Sequence, residues 1–169
     1  MNFEHELSES GDSAMTEEPR WRVLFLCTGN AARSQMAEAL ARLDHAEEIE
    51  SLSAGSRPSG GVHEHAVAAM KELGSDISGA SSKSATLFLD QPFDVVVTVC
   101  DSAARDCPAW PKAKRLEHWS IEDPSAEPDP TRRLERFRET RDDLRRRIDA
   151  LAKELRLANP TGGGGQSRR

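Results

Sequence analysis

Five small residues separate a cysteine from an arginine in the stretch CTGNAARS, and this pattern suits oxyanion chemistry. The loop between Cys27 and Arg33 consists of Thr28, Gly29, Asn30, Ala31 and Ala32, and Ser34 follows the arginine. Small side chains allow the backbone N–H groups of a loop to turn inward around one tetrahedral oxyanion. A guanidinium binds two oxygens of such an anion, and a thiolate attacks its central atom. The pattern therefore predicts an oxyanion-binding loop with Cys27 as its nucleophile.

The segments on either side must position this loop. Residues 23–27 form an apolar run typical of a buried strand, and residues 34–43 carry apolar side chains at helical spacing. The positive end of the helix, with the hydroxyl of Thr28 or Ser34, would favour the thiolate form of Cys27. The spacing of Cys27 and Arg33 alone is common by chance, but between a strand and a helix it indicates an oxyanion site.

Two further cysteines follow a second apolar run, residues 93–99. Cys100 ends that run and Cys107 comes seven residues later. If both runs are neighbouring parallel strands, Cys27 and Cys100 end at the same edge of the sheet and lie close together. Disulfides in the cytosol are usually transient and catalytic, so three cysteines indicate chemistry or a metal site. The alternative is that these are buried, inert thiols.

Composition limits both the architecture and the partners. The chain has 169 residues, 37% of them hydrophobic, and a formal net charge of −6. This fits one domain and argues against a nucleic-acid surface. No apolar run could span a bilayer or act as a secretory signal, so we expect a cytoplasmic protein without membrane contact. We also expect a monomer, with a flexible leader at residues 1–20, one domain at 21–157 and a flexible tail at 158–169.

Strand and helix patterns alternate through the expected domain. Beyond the first strand and helix, the patterns favour strands at residues 49–53, 93–99 and 115–121, with helices at 63–73 and 131–157. Alternation of this kind predicts an α/β domain with a four-stranded parallel sheet flanked by helices. Ligands in such domains bind where strands end and helices begin.

Several motifs resemble those of one known family. They are CTGNAARSQMAEA, SAG at residues 53–55, DIS at 76–78, VVVTVCDSAARDCPAWP at 95–111 and EHWSIEDP at 117–124. Together they resemble the low-molecular-weight protein tyrosine phosphatase superfamily. Within it, the chain is most similar to arsenate reductases that recycle through thioredoxin, because Cys100 and Cys107 match the additional cysteine pair of those enzymes.

The resemblance implies reduction of arsenate to arsenite without a cofactor. Cys27 would attack arsenic held by Arg33 and the loop, and Asp123 would protonate the departing oxygen. Cys100 and then Cys107 would carry the disulfide outward to thioredoxin, a glutaredoxin or a low-molecular-weight thiol. Phosphate and sulfate would compete for the loop. If the residues between Cys100 and Cys107 are helical, these cysteines lie about 10.5 Å apart along the axis, too far for a disulfide, so the segment must unwind.

Two residues depart from the family pattern. Ala31 stands where serine is common, so one loop hydroxyl is lost. Some members of the family bind potassium through an asparagine and an acidic residue, and Lys83 occupies the acidic position here. The Lys83 ammonium would take the place of the cation, with Asn30 and Glu38 bracing the loop, so we predict no metal site.

Other functions use subsets of these residues. A phosphatase needs only Cys27, Arg33 and Asp123, but the segment after Asp123 lacks the aromatic residues that would hold a tyrosyl ring. A thiol sensor or a metal-binding protein needs no turnover. Zinc bound by Cys100, Cys107 and His118 matches no common spacing, and we interpret His63 and His65 as residues of a helix start.

Overall fold

Four strands form one parallel sheet in the computed structural model, which describes residues 20–106 and 109–159. The order across the sheet is β2-β1-β3-β4, and every neighbouring pair is parallel. The strands are β1 (Trp21–Cys27), β2 (Ile49–Gly55), β3 (Val95–Thr98) and β4 (Leu116–His118). The predicted fold class is confirmed.

The described residues also form four α-helices and two short 3₁₀-helices. The α-helices are α1 (Arg33–His45), α2 (Glu64–Lys71), α3 (Asp101–Asp106) and α4 (Pro130–Ala158). The 3₁₀-helices span Ala85–Phe88 and Pro124–Ala126. None of the helices in the described ranges is long and apolar enough to cross a membrane.

The central strand β1 is buried on both faces because alternate side chains of a strand point to opposite sides of the sheet. Val23 and Phe25 join the core formed with α1, α2 and α4. Leu24 and Leu26 join a second cluster that includes Phe88, Phe93 and Trp110 on the other side. Residues 23–26 are all 0% exposed, and this burial holds the next residue, Cys27, at a fixed place in the sheet.

The register brings three strand ends to one edge of the sheet. Leu26 pairs with Thr98 of β3, and Cys27 pairs with Gly55 of β2. The segments that follow β1 and β3 lead directly into α1 and α3. Cys27 and Cys100 therefore follow neighbouring parallel strands at the edge where two helices begin.

Several element boundaries differ from the predictions made from the sequence. β4 has three residues instead of the predicted 115–121, because it is an edge strand that pairs only with β3. β3 is shorter than 93–99, since Phe93 makes only an isolated bridge. α4 extends through Ala158, one residue into the predicted tail. Residues 1–19, 107–108 and 160–169 lie outside the described residues, and with them most of the predicted leader and tail and Cys107.

Candidate active site

Two buried thiols lie at the edge of the sheet where β1 and β3 end. Cys27 and Cys100 are each 3% exposed. The Cys27 sulfur is 2.8 Å from Ser34 Oγ and accepts a hydrogen bond from the Asn30 N–H at 3.2 Å. The hydroxyl of Thr28, the residue after Cys27, lies 3.5 Å from Cys100 Sγ. Cys100 also accepts a hydrogen bond from the Ala103 N–H in the first turn of α3. Each sulfur therefore accepts one hydrogen bond from a backbone N–H and lies within contact distance of one hydroxyl.

The loop after Cys27 turns its carbonyls outward. Four of them accept hydrogen bonds of 2.8–3.2 Å from the backbone of residues 56–63: Cys27 from Ser56, Thr28 from Arg57, Gly29 from Ser59 and Ala31 from His63. The carbonyl and the next N–H of a trans peptide point in opposite directions. The N–H groups of Thr28, Gly29, Asn30 and Ala32 therefore point inward, as the Asn30 contact with the Cys27 sulfur shows.

Helix α1 begins at the end of this loop, and no side chain of the described residues occupies its first backbone N–H groups. Ala32 caps it with no side-chain hydrogen bond, and its first turn contains no acidic residue. The first N–H groups of a helix have no partner within the helix and attract anions. The N–H groups of the loop and of the first turn of α1 therefore converge beside Cys27 without a competing side chain from the described part of the chain.

Asn30 holds the loop in shape. It is fully buried, with a φ of 50°, a left-handed conformation that asparagine tolerates better than most residues. Its side-chain amide donates to Ser34 Oγ at 2.8 Å and to Ser53 Oγ at 3.0 Å, and its Oδ1 accepts from the Lys83 backbone at 2.8 Å. Gln35 also donates to Asn30 Oδ1. These bonds connect the loop to β2, α1 and the segment around residue 83.

Gly55 lets the end of β2 approach the loop closely. A Cβ atom at this position would lie 2.5 Å from Thr28 O and 2.9 Å from Asn30 N. No side chain fits there unless the loop backbone moves. The sequence motif SAG at residues 53–55 is thus explained by contact, because Ser53 binds Asn30 and Gly55 makes room for the loop.

Lys83 and Glu38 form a charged pair behind Asn30. Lys83 Nζ lies 3.7 Å from Glu38 Oε1, and Ser53 Oγ donates to the same carboxylate oxygen at 2.5 Å. The Glu38 side chain is 13% exposed. The Lys83 ammonium therefore lies beside the acidic group to which the loop is connected through Ser53.

Arg33 and Asp123 come together although they are 90 residues apart in the sequence. Arg33 starts α1 and donates to the Ile121 carbonyl at 2.8 Å, and its second terminal nitrogen is 4.0 Å from Asp123 Oδ2. The other carboxylate oxygen of Asp123 accepts from Ser125 N–H at 2.9 Å. Asp123 is thus both a turn residue that caps Pro124–Ala126 and a carboxylate beside the arginine.

A hydrogen-bond network that sequence reasoning missed joins α3 to β4. His118 Nε2 lies 2.8 Å from Asp101 Oδ1, which also accepts from Ser120 Oγ at 3.0 Å. These bonds, first that of His118 and then that of Ser120, hold the pKa of Asp101 below its usual value. His118 Nδ1 contacts Thr98 Oγ1. In the alternative zinc site, His118 would be a ligand, but its two ring nitrogens contact Thr98 and Asp101. Cys107, another ligand of that site, lies outside the described residues.

His63 lies at the start of α2, as the sequence indicated. Its Nδ1 accepts from the His65 N–H at 3.1 Å and so caps the helix, while its own N–H binds the Ala31 carbonyl. Burial, followed by the charge of His65, lowers the pKa of His63 below 6.5. His63 therefore links the loop to α2, because its backbone N–H binds the loop and its ring caps the helix.

Comparisons with known proteins agree with this geometry. Residues 22–160 match the model of the family described as low molecular weight phosphotyrosine protein phosphatase. An arsenate reductase of Halalkalibacterium halodurans is 43% identical over 131 residues, which cover 77% of this chain and 94% of that protein.

Solved structures show the same relationship. An arsenate reductase in a phosphate-binding state has a TM-score of 0.69 at 36% identity, covering 79% of this chain and 98% of that chain. The YwlE arginine phosphatase from Geobacillus stearothermophilus has a TM-score of 0.68 at 27% identity, covering 86% and 99%. A thioredoxin-dependent arsenate reductase of Corynebacterium glutamicum has a TM-score of 0.65 at 31% identity, covering 83% and 64%.

The resemblance inferred from the sequence motifs is confirmed by these matches. The family match, over residues 22–160, includes the loop after Cys27, both buried thiols and the Asp123 segment. The chain therefore belongs to the low molecular weight phosphotyrosine protein phosphatase family, and its relatives in that family include arsenate reductases.

Proposed function

We propose that this protein reduces arsenate to arsenite through a relay of Cys27, Cys100 and Cys107. The observation that carries the proposal is the second buried thiol. A phosphatase needs one thiol in the loop, whereas Cys100 lies beside the same loop, with Thr28 Oγ1 3.5 Å from its sulfur. The names of the relatives support this choice, since they are arsenate reductases.

The first step is attack on arsenic. The loop N–H groups and Arg33 hold the oxygens of arsenate, and the Cys27 thiolate forms a sulfur–arsenic bond. One oxygen leaves as water after Asp123 supplies a proton. The 4.0 Å separation of Asp123 and Arg33 supports this assignment, because a group held by the arginine lies within reach of the carboxyl.

The second step transfers two electrons to arsenic. The Cys100 thiolate attacks the Cys27 sulfur, and the sulfur–arsenic bond breaks with its electron pair on arsenic. Arsenite leaves, and a disulfide joins Cys27 to Cys100. The Cys100 sulfur accepts a hydrogen bond from the Ala103 N–H in the first turn of α3, and this bond fixes its position beside the loop.

The third step carries the disulfide outward. Cys107 attacks Cys100 and releases the Cys27 thiolate, and an external dithiol then reduces the Cys100–Cys107 disulfide. The six residues between these cysteines form α3, so this segment unwinds before the second disulfide closes, since a helix would hold the cysteines about 10.5 Å apart.

The partners follow from this chemistry. Arsenate is the substrate, with phosphate and sulfate as competing anions, and thioredoxin or another thiol reductant restores the enzyme. The thioredoxin-dependent enzyme of Corynebacterium glutamicum supports this reductant. We place the reaction in the cytoplasm, where thiols are kept reduced, and expect a monomer.

A coupled assay tests the proposal. Purified protein is incubated with arsenate, thioredoxin, thioredoxin reductase and NADPH, beside a phosphatase assay with a phosphotyrosine and a phosphoarginine substrate. We expect NADPH consumption that depends on arsenate and stops when Cys100 is replaced by serine. Phosphatase turnover that survives loss of Cys100 and Cys107, without arsenate reduction, would instead favour the phosphatase function to which the arginine phosphatase likeness points.

A further inference from the structure

We propose that Arg57 is a second cation of the oxyanion site, which recruits doubly charged tetrahedral oxyanions to the loop without taking part in the chemical step. The inference rests on the function proposed above and deepens it. It would make Arg57 a determinant of substrate affinity, in addition to Arg33.

The backbone of Arg57 is fixed beside the nucleophile. Its N–H donates to the Thr28 carbonyl at 2.8 Å, and Thr28 directly follows Cys27. Ser56 and Ser59 on either side also donate to loop carbonyls. The segment that carries Arg57 is therefore bound along its length to the outward-facing carbonyls of the loop that follows Cys27.

The guanidinium of Arg57 is available to attract anions from solution. The residue is exposed, and among residues 20–106 and 109–159 its side chain has no hydrogen-bond or ion-pair partner. Some other arginines are paired with carboxylates: Arg42 with Glu38 and Arg145 with Asp44. Because no carboxylate of the described residues pairs with Arg57, its charge faces the solvent beside the segment that binds the loop.

Such a cation matters on an acidic protein. With a formal net charge of −6, the chain as a whole repels a divalent anion. A positive group at the edge of the site raises the local concentration of that anion, and the effect is greater for a dianion than for a monoanion. Because the group is exposed, salt screens it: the Debye length falls from about 10 Å at 0.1 M to about 3 Å at 1 M.

The experiment compares Arg57→Gln and Arg57→Lys with a control. Lys153→Gln removes one charge from an exposed side chain near the far end of α4. Two quantities are measured at 0.05 M and 0.5 M salt: the phosphate concentration that half-protects Cys27 from alkylation, and kcat and KM for arsenate.

We expect Arg57→Gln to raise the half-protecting phosphate concentration and KM by about three- to tenfold at low salt, with kcat within about twofold. The difference should shrink at 0.5 M salt, Arg57→Lys should restore parental values, and Lys153→Gln should behave as the parent. If phosphate protects the parent and Arg57→Gln equally, or if kcat falls with KM unchanged, the role of Arg57 is overturned while the proposed function stands. Absence of protection in the parent would overturn the oxyanion loop itself, and this inference with it.

Discussion

Replacing Gly55 by alanine should disable the oxyanion loop without touching a reacting group. The new Cβ would lie 2.5 Å from Thr28 O and 3.0 Å from Asn30 Cβ. A carbon–oxygen contact is normally about 3.3 Å or longer, so the loop must move by about 0.8 Å. These atoms belong to the backbone and to a fully buried side chain, so no flexible side-chain end can absorb the shift.

The size of the effect follows from that displacement. Overpacking of this kind costs about 1–3 kcal/mol of stability, which corresponds to roughly 3–10 °C in Tm for a chain of this length. A misplacement of about 1 Å at a reacting geometry costs about 10²-fold in rate. We therefore expect Gly55→Ala to remain folded at 25 °C and to lose about 10²-fold in kcat/KM for arsenate.

Gly79→Ala is the matched control, because a Cβ there meets no atom within 4 Å. Both variants are compared with the parent by thermal melting, by phosphate protection of Cys27 against alkylation and by arsenate turnover. If phosphate protects Cys27 in Gly55→Ala as well as in the parent, and arsenate turnover is unchanged, the argument that a Cβ at position 55 displaces the loop is refuted.

Three further substitutions test other parts of the site. Arg33→Ala should leave the fold intact but abolish protection of Cys27 by phosphate or sulfate; alkylation rates that depend equally on these anions in parent and variant would contradict the role of Arg33. Asp123→Asn should slow formation of the arsenic adduct by about 10²-fold in rapid-mixing experiments, and parental kinetics would leave Asp123 as a capping residue only. His63→Asn tests the cap of α2: the pKa of His63 lies below 6.5 when folded, so the unfolded chain binds more protons near that pH and stability falls as the pH drops below about 6.5. Asparagine keeps a capping acceptor but does not titrate, so urea unfolding between pH 7.5 and 5 should show a smaller loss of stability than in the parent, and an equal loss would assign the pH dependence to other groups.

The sequence alone predicts those parts of the site whose residues are neighbours in the chain. The apolar run before Cys27 and the helical spacing after Arg33 predict β1 and α1 because each pattern depends on burial of neighbouring residues. The parallel order of strands then predicts that Cys27 and Cys100 share an edge, and the structure confirms it.

Contacts between distant segments could not be predicted in this way. Gly55 has no local signature, because its constraint comes from the backbone of a loop 25 residues earlier. The hydrogen bonds that Asn30 donates to Ser53 and accepts from the Lys83 N–H, and the contact of His118 with Asp101, likewise join different elements.

Arg141 shows the same limit in α4. Arg141 lies between Phe137 and Leu144 on the buried face of α4, is only 8% exposed, and donates hydrogen bonds to Glu72 and to the Ala69 carbonyl of α2. Together with Arg138, it lowers the pKa of Glu72 to about 2. The spacing of apolar residues in a helix does not show which charged residue finds a partner on another helix.

A single-turnover experiment with Cys107→Ser tests the thiol relay most directly. The variant is mixed with excess arsenate in the absence of any reductant, arsenite is quantified, and the disulfides are mapped by mass spectrometry of digests. Cys100→Ser, treated identically, should form the adduct on Cys27 and release almost no arsenite. The relay predicts about one arsenite per Cys107→Ser chain and a Cys27–Cys100 disulfide, because Cys27 and Cys100 alone supply the two electrons. No arsenite from Cys107→Ser, or repeated turnover of this variant when thioredoxin is added, would contradict it.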